Sequence, residues 1–356
     1  MTRSSDLPIN SGYRMPAEWE PHEGTWLAWP HNRSDWPGRF TPIPWVYAEI
    51  VRNLARVETV HIIVGDAPEE KSARRVLQKA GALNDNVQFH GWATNRVWTR
   101  DYGPIFVVNS KKQGALVNFG FNAWAKYPDW RDDNKIPGHV AQLFGVRKFD
   151  AEVDGRPFVL EGGSIDVNGR GTLITTEECL LGDVQQRNPG LTREQIEQAL
   201  HDYLAVTHVI WLERGIVGDD THGHVDDITR FVAPSTAVTM VERNPADPNH
   251  EILNANLRRL RTTRDESNIQ LAIIELPMPR PVVFRGQRLP ASYANFYIAN
   301  KLVLVPVFND ANDRIALNLL AEAMPDREVV PIYCGDFIWG LGAIHCATQQ
   351  QPAAAV

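Results

Sequence analysis

Cysteine is scarce in this chain, with three among 356 residues. So sparse and odd a set cannot build a disulfide framework, and the expected location is a reducing cytoplasm. Long apolar runs are missing too. Nothing approaches the roughly 20 consecutive apolar residues that a membrane-spanning helix needs. Met1 to Asn10 is polar and lacks the apolar stretch of a secretory signal. No low-complexity tract is present, nor any Pro/Gly/Ser linker long enough to separate one domain from another, so residues 1–356 read as one domain. Positive charge is not in excess: 36 Lys and Arg stand against 43 Asp and Glu, for a net charge of −7. That balance speaks against nucleic acid and anionic membrane as partners and favours cationic ligands.

Hydrophobic residues make up 43% and charged residues 22%, the composition of a soluble globular protein. Tryptophan is abundant. Trp19, Trp26, Trp29 and Trp36 fall among Pro16, Pro21, Pro30 and Pro37, a rigid non-helical entry segment expected to cover an apolar edge. Short runs rich in β-branched and aromatic residues read as strands: 60–64, 105–108, 116–119, 172–175, 208–212, 228–231, 238–241, 272–276, 302–307 and 329–333. Helices are predicted between them, over 68–80, 249–264 and 313–323. Another follows the capping-box pattern Thr192-Arg-Glu-Gln195 and runs to about Leu204. A rhythm of strand pair, helix and strand recurs without a sharp sequence repeat. Interleaved strands and helices give an α/β fold, for which a doubly wound parallel sheet is the default. The tail from Pro352 to Val356 is expected to fray.

Four polar knots interrupt the apolar pattern: Arg100-Asp-Tyr-Gly-Pro104, Glu161-Gly-Gly-Ser164, His222-Gly-His-Val-Asp226 and the stretch from Gly340 to Gln351 that carries Cys346. Each is read as lying at the end of a strand-like run. Asp101 beside Gly and Pro is compatible with ordinary turn chemistry, and Glu161 beside paired glycines with simple exposure or with close approach of a ligand to the backbone. His224 and Asp226 are stronger. In an extended segment, side chains two residues apart share a face, so imidazole and carboxylate can address one substrate. His222, His224 and Asp226, with Asp219, Asp220 and Asp227 nearby, superficially suggest a binuclear manganese site. No second ligand cluster accompanies them, and no metal is expected. Cys179 and Cys334 have aliphatic surroundings and read as small core residues. Cys346 sits among glycines, a histidine and three glutamines that have no obvious place in a core, a setting suited to a nucleophilic thiolate.

In this order, the knots resemble the agmatine deiminase family, which is related to the bacterial peptidylarginine deiminases. The resemblance runs from Met15-Pro-Ala-Glu-Trp-Glu-Pro-His-Glu23 to Gly342-Ala-Ile-His-Cys-Ala-Thr-Gln-Gln-Gln-Pro352 and includes Ala291-Ser-Tyr-Ala-Asn-Phe-Tyr297. It implies a pentein fold, a five-bladed pseudo-fivefold α/β propeller of ββαβ modules with the active site in its central channel. By matching residues, Cys346 is the nucleophile, His224 the general acid and base, Asp101 and Asp226 the guanidinium-binding carboxylates and Glu161 a further active-site acid. Trp98 and Asp220 join Asp101 and Asp226 as substrate-binding residues. The implied enzyme is a hydrolase of carbon–nitrogen bonds in linear amidines. It would convert agmatine to N-carbamoylputrescine and ammonia without a cofactor, as a step of polyamine metabolism, and possible homodimer formation carries over by analogy.

The segment Asp219-Asp-Thr-His-Gly-His-Val-Asp-Asp227 departs from the family version Asp-Glu-Thr-Asn-Gly-His-Val-Asp-Asn at Asp220, His222 and Asp227. Asp220 keeps the charge and is expected to meet a substrate ammonium. Free arginine is disfavoured, because Arg14, Arg243, Arg285 and Arg288 all read as surface groups rather than partners for its α-carboxylate. Peptidyl-arginine deimination, an amidinotransferase, a manganese ureohydrolase and a non-catalytic binding protein on the same scaffold are the competing readings.

Overall fold

The computed structural model describes residues 7–354. The first six residues of the polar amino-terminal stretch, and Ala355 and Val356 of the tail expected to fray, lie outside the described residues. Pro352 is no loose end, because it closes the last strand, Gln349–Pro352.

One pattern of strands and helices occurs five times. An antiparallel pair is followed by a helix and then by a strand parallel to the second member of the pair. Ile105–Val108 and Gly114–Asn118 pair in this way, with Ile136–Phe144 as the helix and Arg147–Asp150 as the third strand. Asp166–Val167, Thr172–Thr176 and His208–Leu212 form the next sheet, and Thr229–Ala233, Thr236–Val241 and Ala272–Pro277 the one after it. Tyr297–Ala299, Leu302–Val307 and Glu328–Tyr333 make another. The remaining sheet is built from both ends of the chain. Gln349–Pro352 runs antiparallel to His22–Ala28, which pairs in parallel with Thr59–Val64, and that strand with Val87–Gly91. The sheets are separate and small, so the fold is the five-module pentein and not one doubly wound sheet.

Central strands read as continuous apolar or threonine-rich runs because they are covered on both faces. Thr172–Thr176 is buried throughout, and Leu302–Val307 in all but its last residue. The expected capping box forms: Gln195 N–H donates to Thr192 Oγ1 at 3.3 Å and Thr192 N–H to Gln195 Oε1 at 2.9 Å. The helix predicted over 68–80 spans Ala67–Lys79, with Asp66 accepting from Glu69 N–H at 2.8 Å.

Two expectations are corrected. The tryptophan-rich segment does not merely cover an edge, because Trp26 lies within strand His22–Ala28 and is fully buried, and Trp29 and Trp36 are buried too. The glutamine run is also interior, with Gln349, Gln350 and Gln351 at 1, 6 and 4% exposure. Each side-chain amide has a partner that a glutamine can satisfy and an aliphatic residue cannot. Gln349 Nε2 donates to Pro104 O at 3.0 Å, Gln350 Oε1 accepts from Arg100 at 2.6 Å, and Gln351 Oε1 accepts from Trp26 Nε1 at 2.9 Å.

Arg230 ties the modules together. Fully buried, it donates to Asp166, to Glu18 Oε2 at 2.8 Å and to Phe296 O at 2.9 Å. Removing this cation strands two buried carboxylates, and breaking such a pair costs about 3–5 kcal/mol. Arg230→Met should therefore lower the denaturant midpoint by that amount of stability at an unchanged slope.

Candidate active site

The five chemical segments do not sit where strands end. Each lies just before the first strand of a module. Asp101 is in the short helix Thr99–Tyr102, ahead of Ile105–Val108. Glu161 precedes the single turn Gly162–Ser164 and strand Asp166–Val167. His224 caps the turn Val225–Asp227 ahead of Thr229–Ala233. Asn295 comes before Tyr297–Ala299, and Cys346 before Gln349–Pro352. Equivalent positions in five modules thus converge, and neighbours such as Arg100 and His345 meet across 245 positions of sequence.

The extended reading of His224 to Asp226 is corrected as well. His222 has φ 64° and Gly223 φ 100°, and a tight turn follows. Imidazole and carboxylate still meet, with His224 Nδ1 4.0 Å from Asp226 Oδ1. His222 turns away toward Glu178, 3.9 Å distant, so it shares no ligand cluster with His224.

His224 is fully buried among three acids, at 3.8 Å from Asp101, 3.7 Å from Glu161 and 4.0 Å from Asp226. The paired glycines next to Glu161 make room for this crowding. A Cβ on Gly163 would lie 2.5 Å from His224 Nδ1 and 2.8 Å from Asp101 Oδ1, so it is catalytic-type side chains, rather than a ligand, that approach the backbone there. Asp101 Oδ2 accepts from Trp124 Nε1 at 2.9 Å, and Oδ1 from Gly163 N–H at 3.2 Å. Glu161 accepts from Arg187 Nε at 3.1 Å. Asp226 Oδ2 contacts His345 Nδ1 at 2.7 Å and lies 3.6 Å from Cys346 Sγ, while His345 Nε2 reaches Glu18 at 2.8 Å.

Burial and neighbours set the charges. Burial would lower the His224 pKa, but Asp101, Glu161 and Asp226 outweigh it and raise it to about 9. Burial pushes Asp101 up to about 7, with Asp226 and Glu161 adding to the shift and His224 opposing it. Burial would also raise Glu161, yet Arg187 and His224 bring it down to about 2. For Asp226 the bonds and charge of His345 override burial and leave it below its ordinary value. Cys346 is pushed well up by burial first and then by Asp226, Asp227 and Asp101.

Cys346, Asp101, Trp98 and Asp220 line one cavity of about 460 Å³, together with Asp35, Arg96, Trp124, Tyr127 and Asp129. The glycines before Cys346 let aromatic rings, not a ligand, come close: a Cβ on Gly342 would be 2.7 Å from the Trp98 indole. At the mouth Asp220 meets Lys126 at 2.5 Å and Tyr127 OH at 2.7 Å, and Arg96 bridges Asp35 and Asp129 at 2.6 and 3.0 Å. None of Arg14, Arg243, Arg285 and Arg288 lines it. Trp124 and Arg187 carried no signal in the sequence, and Glu18 and His345, though inside segments that carry the resemblance, were given no role by it. His345 stands beside Cys346, and only its bond to Asp226 shows what it holds.

Among the described residues one group could offer three metal ligands, Glu161, Cys179 and His224. Arg187 already sits against that glutamate, and its charge opposes a cation there. Cys179 is otherwise packed in the core as expected, and Cys334 is buried.

Fold and site together define a pentein in which Cys346 and Asp101 line one cavity, with His224 and Asp226 buried against them and Glu161 against His224, the pattern of the guanidine-modifying enzymes. The sequence model of the Porphyromonas-type peptidyl-arginine deiminase family matches residues 14–352, and the chain belongs to that family. The agmatine deiminase of Ectopseudomonas mendocina (strain ymp) is 35% identical over 376 residues, covering 99% of each chain. The agmatine deiminase of Pseudomonas aeruginosa (strain LESB58) is 36% identical over 377 residues, again covering 99% of each. Among solved structures, the agmatine deiminase of Enterococcus faecalis has a TM-score of 0.90 at 32% identity, covering 99% of this chain and 100% of that one. A C. jejuni agmatine deiminase with substrate bound has a TM-score of 0.85 at 29% identity, covering 96% and 97%. No helix among the described residues is long and apolar enough to cross a membrane.

Proposed function

We propose that this protein is an agmatine deiminase, with Cys346 as nucleophile, His224 as acid and base, Asp101 and Asp226 as the carboxylates that hold the guanidinium, and Glu161 as a further active-site acid beside His224. One observation carries the reading. Both ring nitrogens of the fully buried His224, and Oδ1 of the equally buried Asp226, have no hydrogen-bond partner among the described residues, and Asp226 stands beside the Cys346 sulfur. Buried polar atoms are normally bonded. A planar cation with several N–H groups is the ligand that satisfies a carboxylate of this kind.

The carboxylates grip the guanidinium and keep it protonated. The bound cation lowers the thiol pKa until Cys346 gives its proton to solvent, and the Sγ thiolate attacks the central carbon and forms a neutral tetrahedral adduct. His224 as imidazolium donates a proton to the departing nitrogen, and ammonia leaves. Neutral His224 then takes a proton from water, which attacks the amidino-thioester-like intermediate and frees the ureido product and the thiol. The acids that raise the thiol pKa are neutralised by the substrate itself, so the nucleophile is activated by what it attacks.

The mouth decides between substrates. Asp220 suits an ammonium, which would replace Lys126 there, while Asp35 and Asp129 are already held by Arg96. An α-carboxylate meets Arg96 and Lys126 only while both are already paired. The single catalytic domain over 1–356, the cytoplasmic location, the homodimer and the lack of nucleic-acid partners belong to this proposal. The three free thiols and the net charge of −7 support the location and the lack of nucleic acid, while the homodimer rests on resemblance alone.

An ammonia assay tests the substrate. Agmatine should exceed arginine in kcat/KM by about a hundredfold or more, because placing like charges together costs several kcal/mol, and peptidyl-arginine should be inert. Equal turnover of arginine would overturn the assignment to agmatine. Release of the parent diamine in place of ammonia, and only with an added amine acceptor, would point to amidino transfer, and urea in place of ammonia would point to ureohydrolysis.

A further inference from the structure

Four of the five module entries supply the residues given roles above. The fifth, within Ala291–Tyr297, supplies Asn295, which is fully buried and uses its whole amide on the nucleophile's surroundings. Its Oδ1 accepts from the backbone N–H groups of His345 at 3.0 Å and Cys346 at 3.3 Å. Its Nδ2 lies 3.1 Å from Cys346 Sγ and 3.1 Å from Asp227 Oδ1. The orientation of the amide is fixed by these neighbours. Two backbone donors require the carbonyl oxygen on their side, and a carboxyl oxygen requires the NH₂ on the other. One N–H therefore has to face sulfur.

We infer that Asn295 is a further catalytic residue, donating to the Cys346 sulfur as it becomes anionic, and that Asp227 is the positioning residue that holds the amide in the donating orientation. The inference rests on Cys346 being the nucleophile. A thiolate surrounded by Asp226, Asp101 and Asp227 has little else to stabilise it, and an N–H donor beside a developing anion strengthens as charge accumulates. Asp227 is one of the places where this chain departs from the family version of its segment, which reads Asn there. Its Oδ1 still accepts from Asn295, and Ser292 Oγ, from the same entry segment as Asn295, donates to the Asp227 carbonyl at 2.7 Å. The two entry segments thus brace one another. Burial, with Asp226 and Asp219 nearby, pushes the Asp227 carboxyl well above its ordinary value, which limits the negative charge it presents to the sulfur.

Loss of a hydrogen bond to a charged group predicts that Asn295→Ala lowers kcat roughly ten- to hundredfold with little change in the KM for agmatine. Alkylation of Cys346 by iodoacetamide at fixed pH should slow by a similar factor, a readout that needs no substrate and tracks thiolate population. Asp227→Ala should move both quantities in the same direction, and Asp227→Asn, which keeps an acceptor oxygen, should recover most of the loss. The exchange Asn295→Asp with Asp227→Asn keeps the shape, the backbone acceptor and one acid in the pair while removing the amide N–H from the sulfur. It should behave like Asn295→Ala, and it serves if the alanine variant does not fold. Wild-type alkylation and kcat in either folded Asn295 variant would overturn the inference. If neither folds, wild-type rates in Asp227→Ala would do so. Activity surviving in Cys346→Ser would instead sink the proposed function, so the two failures are separable.

Discussion

Cys346→Ser is expected to release no measurable ammonia from agmatine, a fall in kcat of at least about four orders of magnitude, or about 5–6 kcal/mol in the barrier. The substitution is nearly isosteric and leaves the loop in place. The Cys346 carbonyl still accepts from Arg100 N–H at 3.1 Å, and the neighbouring Ala347 carbonyl from Thr99 Oγ1 at 2.8 Å. What changes is chemistry. The thiol is already hard to ionise in this acidic pocket, and substrate charge can bring its ionisation within reach. A hydroxyl starts several units higher and has no such prospect. Cys334→Ala is the matched control: it is buried away from the cavity lining, so it should lower stability and leave turnover near wild type. A Cys346→Ser protein with full turnover would remove the nucleophile, and with it the reaction.

The same acids explain why so much of the site could be read from the sequence. A carboxylate or imidazole inside an apolar run is costly unless something compensates it, so the polar knots stood out; His224 and Asp226 suggested shared chemistry by their spacing, while Asp101 and Glu161 drew their roles from the resemblance. Their convergence could not be read. It depends on five modules whose sequences have diverged while their strand order has not, and on residue pairs such as Asp101 and Gly163 or Asp226 and His345 that lie far apart in the chain. Glu18 shows this limit best. It falls in a tryptophan- and proline-rich segment with no chemical signature, yet it meets Arg230, His345 and the N–H of Ile298.

Secondary structure was legible in the same uneven way. The strands of the later modules matched their β-branched runs except Tyr297–Ala299, and the capping box marked its helix. The glutamine strand Gln349–Pro352 was hidden, because its side chains resemble a surface loop and its burial follows from Trp26, Arg100 and Pro104, each more than two hundred residues away. Helix Ile43–Leu54 was missed for a related reason: it opens on prolines and a tryptophan that look like a continuation of the irregular segment before it. The resemblance supplied the five-module arrangement that periodicity alone, pointing to a doubly wound sheet, did not.

Replacement of His224 should have the second-largest effect. His224→Ala removes both the proton donor for ammonia and the base for water, and a lost general acid–base group costs about 10²–10⁴ in rate. The wild-type profile of kcat/KM should be bell-shaped. Below about 7 the Asp101 carboxyl gains its proton and loses its grip on the guanidinium, so activity falls toward acid. Above about 9 His224 loses the proton it must donate, so activity falls toward base, with the maximum between the two limbs. His224→Ala should keep the acid limb on its residual rate and lose the alkaline one. Stability follows the same proton. The His224 pKa is raised on folding from 6.5 to about 9, so its protonated form stabilises the fold fully below 6.5 and that contribution is lost as pH rises through about 9. The gap in denaturant midpoint between wild type and His224→Ala should shrink over that interval if the cation is what the surrounding acids hold. An alkaline limb that persists in His224→Ala would assign the titration to another group and leave the imidazole without its role as acid.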